Sequence, residues 1–279
     1  MVVPIAVTGA TGRLGGRIAR RLASAGAAQR LLVRDPARAP ELPGATAVTA
    51  SYADAAAARA ALEQVETVLM VSASETLDRV GEHVTFIDAA VAAGVRNLVY
   101  ISFYGAAPDA TFTLARDHWA TEQHLNGTGL RVTFLRDNLY ADFLPGLAGA
   151  DGVIRGPAGD GRVAAVAQDD IADAATAVLL DPAAHAGRTY SLTGPAALSM
   201  AEVAAVLTSA TGREVSYQQE TIAEAYESRK VFQAPDWEVD AWVSTYTAIA
   251  AGELAGVTTD VADLTGHPAT SLEQLLSQP

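Results

Sequence analysis

One stretch near the start of the chain limits the folds open to it: Val7-Thr8-Gly9-Ala10-Thr11-Gly12-Arg13-Leu14-Gly15-Gly16. It follows a short apolar run, Val2 to Val7, that reads as a buried strand. It precedes Ile18-Ala19-Arg20-Arg21-Leu22, whose apolar residues have helical spacing. A strand, a glycine-rich turn and a helix in that order form a cradle for phosphate. Gly9 allows the tight turn, Gly12 lets the backbone approach a pyrophosphate with no Cβ in the way, and Gly15 lets the helix pack close to the sheet. Thr11, Arg13 and Leu14 complete the turn and are read as cofactor contacts with it. Free N–H groups and the positive end of the helix dipole would face the phosphates. The spacing is G-x-x-G-x-x-G, not the G-x-G-x-x-G of the older dinucleotide fingerprint.

Strand and helix patterns then alternate with short breaks, as in βαβ units of a parallel sheet. Strands are predicted near 3–8, 30–34, 45–49, 66–71, 97–102 and 131–136, with helices near 13–25, 54–63, 77–93 and 112–126. Gly26, Gly94 and Gly127 stand where helices should stop. The link Asp35 to Gly44 carries three prolines and reads as mostly loop. The reading is an α/β fold: a doubly wound parallel (Rossmann) sheet in strand order 3-2-1-4-5-6, occupying residues 1–136. After residue 137 the alternation weakens. Strand-like pieces at 153–155, 188–192 and 214–217 mix with helices at 169–180, 199–211, 221–231 and 237–252. Residues 137–279 are therefore expected to be mainly a smaller α+β substrate lobe, with some segments returning to the first domain. Ser199-Met200-Ala201-Glu202 is a capping box before one of its helices.

Composition removes several classes of function. Among the 279 residues there is no cysteine, hence no disulfide and no thiolate nucleophile. The five histidines are scattered, and no metal site is expected. The formal charge of −13 argues against a nucleic-acid surface, which needs a basic patch. No run of about 18 apolar residues suggests a membrane span. The chain enters a strand at once, without the pattern of a signal peptide, so a cytoplasmic protein is expected. No nucleophile elbow G-x-S-x-G is present.

The residue after the second strand separates NAD from NADP. An acidic side chain there binds the ribose 2′-OH, and an arginine accommodates a 2′-phosphate. Here Arg34 takes the first position after Leu31-Leu32-Val33, with Arg13 in the glycine turn and Arg38 one helical turn on. Three guanidinium groups could meet one phosphate. NADPH is favoured, with NADH possible, since a strand one residue longer would turn Asp35 toward the ribose. Ser72-Ala73-Ser74, after the fourth strand, has small residues suited to approach the cofactor. Ser51, Tyr52 and Asp54 fall on the adenine side.

The string Thr8-Gly9-Ala10-Thr11-Gly12-Arg13-Leu14-Gly15 resembles the extended and atypical short-chain dehydrogenase/reductases. Tyr100-Ile101-Ser102-Phe103-Tyr104-Gly105-Ala106 and Ala115-Arg116-Asp117-His118-Trp119-Ala120-Thr121-Glu122 resemble the NmrA-like branch, and within it the type-2 NADPH:quinone oxidoreductases. Leu135-Arg136-Asp137-Asn138-Leu139-Tyr140 is similar to that group's LR-x-N-x-Y segment. The likeness runs the length of the chain, specific at the cofactor end and loose at the substrate end. It implies an NADPH-dependent enzyme that passes hydride to a quinone or similar conjugated electrophile, without flavin or metal. It also implies a 2′-phosphate role for Arg34, and an acidic residue is common where Ser51 stands.

The chain departs from the parent class in one respect. The Tyr-x-x-x-Lys pair of that class falls on Leu114 and His118, so the usual acid is absent. A quinone needs less help from an acid, and positioning alone can supply much of the rate. His118 could donate a proton or a hydrogen bond, or be a structural helix histidine. Ser102 stands where the parent class has its catalytic serine. Phe103, Tyr104, Asn138 and Tyr140 would line a pocket for a flat acceptor, and a core role for Tyr140 is equally open. The missing pair suits two other readings as well: a non-catalytic redox sensor that binds the dinucleotide, or a specialised reductase or isomerase of secondary metabolism. A monomer or homodimer acting on a small molecule is expected.

Overall fold

A computed structural model describes residues 4–277. The first half runs β1 (Ile5–Thr8), α1 (Arg13–Ser24), β2 (Gln29–Val33), β3 (Ala45–Thr49), α2 (Ala55–Ala61), β4 (Thr67–Val71), α3 (Arg79–Ala92), β5 (Asn97–Phe103), α4 (Thr113–Asn126) and β6 (Arg131–Asp137). The second half runs β7 (Val153–Gly156), β8 (Arg162–Val163), α5 (Gln168–Leu180), β9 (Thr189–Leu192), β10 (Leu198–Ser199), α6 (Met200–Thr211), β11 (Ser216–Gln219), α7 (Ile222–Arg229), α8 (Asp236–Ala250), α9 (Asp260–Thr265) and α10 (Leu272–Ser277). The start of the first predicted strand, at Val3, lies outside the described residues.

Seven strands form one parallel sheet in the order β3-β2-β1-β4-β5-β6-β9. Successive side chains alternate between its faces. Val7, Leu69, Val99 and Ile101 enter the core under α1 and α5, while Ala6, Val68, Met70, Leu98 and Tyr100 enter the core under α2, α3 and α4. All seven residues of β5 are buried, as a central strand covered on both faces requires. The seventh strand comes from the second half of the chain and is one of its segments that return to the first domain: Thr189–Leu192 pairs with Phe134–Asp137 of β6, and α5 and α9 cover it on the α1 side. Two arginines on α1 hold α5 in place. Arg21 reaches Asp169 at 2.7 Å and Asp173 at 2.5 Å, and Arg17 reaches Asp169 and Asp142, both at 3.2 Å.

The remaining elements pack as a lobe around Ile154, Val163, Met200, Val203 and Tyr246, beside the carboxyl end of β5. In it β7 pairs parallel with β11, and β8 antiparallel with β10. Ser199 and Glu202 make the capping box of α6, and Thr221 with Glu224 makes a second one on α7. Among the described residues, no helix is long and apolar enough to cross a membrane, and no cluster of ligand-type side chains could hold a metal ion.

Candidate active site

The glycine turn closes on itself: the Gly12 N–H donates to the Gly9 carbonyl at 2.8 Å. Gly9 has φ +66°, a conformation natural only to glycine, and its missing Cβ would lie 3.2 Å from Val71 Cβ. A Cβ on Gly15 would stand 2.3 Å from the Gly9 carbonyl oxygen, so α1 can approach the turn only as glycine. A Cβ on Gly12 would meet nothing but that same oxygen, at 3.2 Å. Beyond Gly12 the space is open, and α1 begins there without a side-chain cap. Uncapped first-turn N–H groups facing open space fit a pyrophosphate. Thr11, Gly12 and Arg13 are exposed, and Leu14 anchors the turn from below.

Next to this cradle lies a cleft of about 470 Å³. The two share an edge. Val71, against Gly9, leads into Ser72-Ala73-Ser74 on the cleft wall, and Arg13 lays its guanidinium 5.6 Å from the ring centre of Phe143, another wall residue. Phe103, Phe112, Leu114 and Leu139 give the cleft apolar sides, with Phe103 and Phe112 rings 4.9 Å apart. Thr245 of α8 closes the lobe side.

Beneath the 72–74 loop sits a buried polar cluster. The Ala73 N–H donates to His83 Nε2 at 2.9 Å, and the Ala73 carbonyl accepts from Arg79 Nε at 3.1 Å. Both backbone groups of Ala73 are thus held from α3. With Nε2 accepting, His83 donates from Nδ1 to the Thr121 hydroxyl at 2.8 Å. Burial, followed by the nearby Arg79 cation, pushes the His83 pKa down to about 3. Arg79 Nη2 lies 3.3 Å from His118 Nε2. A guanidinium only donates, so His118 Nε2 accepts and its Nδ1–H donates to the Tyr100 hydroxyl at 3.0 Å. Arg79 Nη1 is buried without a hydrogen bond, 3.9 Å from Asp117 Oδ2. Arg79 and His118 both line the cleft.

This arrangement changes the reading of several residues. His118 reaches the cleft, but burial first and Arg79 second lower its pKa well below the ordinary value. It is neutral at physiological pH and acts as an acceptor toward Arg79, so the geometry does not support it as the proton donor. Ser102 is absent from the cleft wall. It is fully buried and donates to Glu122 Oε1 at 2.6 Å, and Arg136 clasps the same carboxylate with Nε at 2.9 Å and Nη2 at 2.5 Å. Ser102 and the arginine of the LR-x-N-x-Y segment therefore tie α4 to β5 and β6. Tyr104 also lies off the cleft, with its hydroxyl tight against Gly256. Asn138 lines the cleft, but its Nδ2 donates to the Leu254 carbonyl and its Oδ1 accepts from the Leu139 N–H. Phe103 and Tyr140 line the cleft as expected residues.

On the adenosine side, β2 ends at Val33, so Arg34 is the first residue past the strand, and both Arg34 and Arg38 are exposed. Asp35 follows Arg34, its carboxylate capping the short 3-10 turn at Pro36–Arg38 by accepting from the Ala37 N–H at 3.0 Å. Arg13 is engaged at Phe143 rather than joining a three-arginine cluster. Tyr52 turns inward, its hydroxyl between the Thr8 hydroxyl at 2.6 Å and the Val71 carbonyl. Asp54 caps α2. Arg79, His83 and Asp137 went unread in the sequence. The first two stand four apart in the helix after Ser-Ala-Ser, which places both on the helix face toward that loop.

A profile of the NmrA-like family matches residues 3–236. This chain belongs to the NmrA-like family. Among members of known name, Quinone oxidoreductase 2 of Escherichia coli (strain K12) is 35% identical over 280 residues, covering 98% of this chain and 97% of its own. NAD(P)H azoreductase of Xenophilus azovorans is 34% identical, covering 97% and 96%. The crystal structure of an Escherichia coli NADPH-dependent quinone oxidoreductase complexed with NADPH superposes with a TM-score of 0.90, at 34% identity and 98% coverage of both chains. The NmrA-like frame thus extends over the sheet, the cradle and the lobe.

Proposed function

We propose that this protein is a cytoplasmic NADPH-dependent reductase that passes hydride to a quinone or similar conjugated small molecule, without flavin. One observation carries the reading: the uncapped glycine cradle and the apolar cleft share an edge at Val71–Ser74, so a dinucleotide seated in the first ends in the second. The names of the quinone oxidoreductase and azoreductase relatives support it. Gly9, Thr11, Gly12, Leu14 and Gly15 would hold the pyrophosphate, Arg34 and Arg38 the 2′-phosphate, and Ser72-Ala73-Ser74 the ribose on the way to the cleft. When bound, the dinucleotide supplies the hydride. The chain's own residues do the rest. Phe103 and Phe112 present aromatic faces to a flat acceptor. Arg79 offers a buried cation to negative charge developing on the acceptor oxygen, where preorganised charge is most effective. His118 and the Ala73 carbonyl hold that guanidinium in position. The test is loss of nicotinamide absorbance when NADPH is mixed with the protein and a panel of quinones and azo dyes. Turnover is expected. Tight NADPH binding with no turnover on any acceptor would overturn the enzyme reading in favour of a dinucleotide sensor.

A further inference from the structure

Asp137 ends β6 on the cleft wall. It is 3% exposed, and its carboxyl Oδ2 is buried without a hydrogen-bond partner. Asn138 and His118 on the same wall spend their polar atoms on the fold, whereas Asp137 Oδ2 spends none. An ionised carboxylate in such a place is costly, and keeping its proton relieves the cost. The groups facing it are few. Tyr140, from its own segment, is near enough to interact with the carboxyl but makes no hydrogen bond to Oδ2, and the Arg79 cation on α3 favours the ionised form. On α4, His118 is neutral; Glu75, before α3, is exposed at the rim. Burial outweighs Arg79, and the Asp137 pKa stands well above the ordinary carboxyl value. Burial pushes Tyr140 up as well, so its hydroxyl stays protonated.

We propose that Asp137 is the proton source for the reduction, acting through Tyr140, which lines the same cleft. The proposal rests on the quinone-reductase reading. As the quinone takes up hydride, and with it two electrons, from the dinucleotide, the Tyr140 O–H bond breaks toward the acceptor oxygen. The Asp137 proton replaces the one lost, leaving a carboxylate that regains its proton from water once hydroquinone departs. The pair fills the gap left by Leu114, where the parent class has its acid.

Asp137→Asn keeps the shape and removes the transferable proton, and Tyr140→Phe removes the relay. Infrared spectroscopy of the unliganded protein at neutral pH should show a protonated-carboxyl band that Asp137→Asn loses and Tyr140→Phe keeps. With a quinone, kcat of the unaltered protein should fall as pH rises through the Asp137 pKa. In Asp137→Asn that basic limb should vanish and kcat below it drop ~10-fold, less than the ~10²–10⁴-fold typical of general acids because a quinone needs less help, with Tyr140→Phe reduced similarly. NADPH affinity should not change in either variant. The limb persisting in Asp137→Asn, or the infrared band persisting, overturns the proposal alone. So does lost NADPH affinity with an unchanged limb, which makes Asp137 a cofactor ligand. No quinone turnover by the unaltered protein overturns the functional reading and this step with it.

Discussion

Gly12 and Gly15 stand three residues apart in one turn, and they should fail differently when changed. Gly12 has φ −90°, open to any residue, and a Cβ there points past the Gly9 carbonyl into free space. Gly12→Val should leave the circular dichroism spectrum intact and abolish NADPH binding by calorimetry, because the branch occupies the pyrophosphate position. Gly15→Ala places a methyl 2.3 Å from backbone and should lower stability by ~1–3 kcal/mol in urea unfolding, the usual cost of overpacking. Arg34 carries a second prediction. Hydrogen bonds to a charged group are worth ~1.5–3 kcal/mol, so Arg34→Ala should weaken NADPH ~10–100-fold and NADH far less, by fluorescence titration. Equal affinities of the unaltered protein for the two would refute the role. Ser102 shows why a strand-end serine can mislead: its sequence position suits catalysis, but a carboxylate twenty residues on captures it. Ser102→Ala should cost ~1–3 kcal/mol of stability by leaving Glu122 short of a donor, with kcat on quinones little altered.

At the scale of elements, α1 does two jobs with its two ends. Its N-terminus is free for phosphate, while Arg17 and Arg21 along its length clamp α5. Because both arginines are partly exposed, Arg21→Ala should cost only ~0.5–1 kcal/mol, and the loss should shrink in high salt. The glycine spacing and the apolar face of α1 could be read directly, since both are local patterns. Its ionic partners could not, because Asp169 and Asp173 lie about 150 positions away. The same holds for α3. Arg79 and His83 carry an i, i+4 signal, but that they grip Ala73 and reach His118 and Thr121 depends on how α3 and α4 pack together.

For the whole molecule, the buried ionisable groups pull stability in opposite directions with pH. His83, with a folded pKa of about 3 against an ordinary 6.5, binds its proton more readily when unfolded. Its contribution is complete above about pH 6.5 and is lost as pH falls toward 3, and His118 acts in the same direction. Asp137 is the reverse. It holds its proton when folded, so its contribution is present below the ordinary carboxyl pKa of 3.8 and is lost as pH rises through the folded value. Asp137→Asn should therefore be more stable than the unaltered protein at about pH 8 and lose that advantage at about pH 4, by urea midpoints. A constant difference across pH would mean that Asp137 is ionised in the fold.

Periodicity and glycine spacing sufficed for the doubly wound class, the six-strand order and the cradle, because strand–turn–helix units are specified by neighbours within about thirty residues. Local spacing also put Arg34 at the end of β2, and Phe103 and Tyr140 line the cleft. Only the tertiary structure decided that β9 completes the sheet, and that Ser102 serves an ion pair. It alone placed His118 as a neutral partner of Arg79 and left Asp137 with an unpaired carboxyl oxygen on the cleft wall. Hydrogen-bond partners and burial come from residues far apart in the chain, and they set which polar side chains are consumed by the fold and which remain for chemistry.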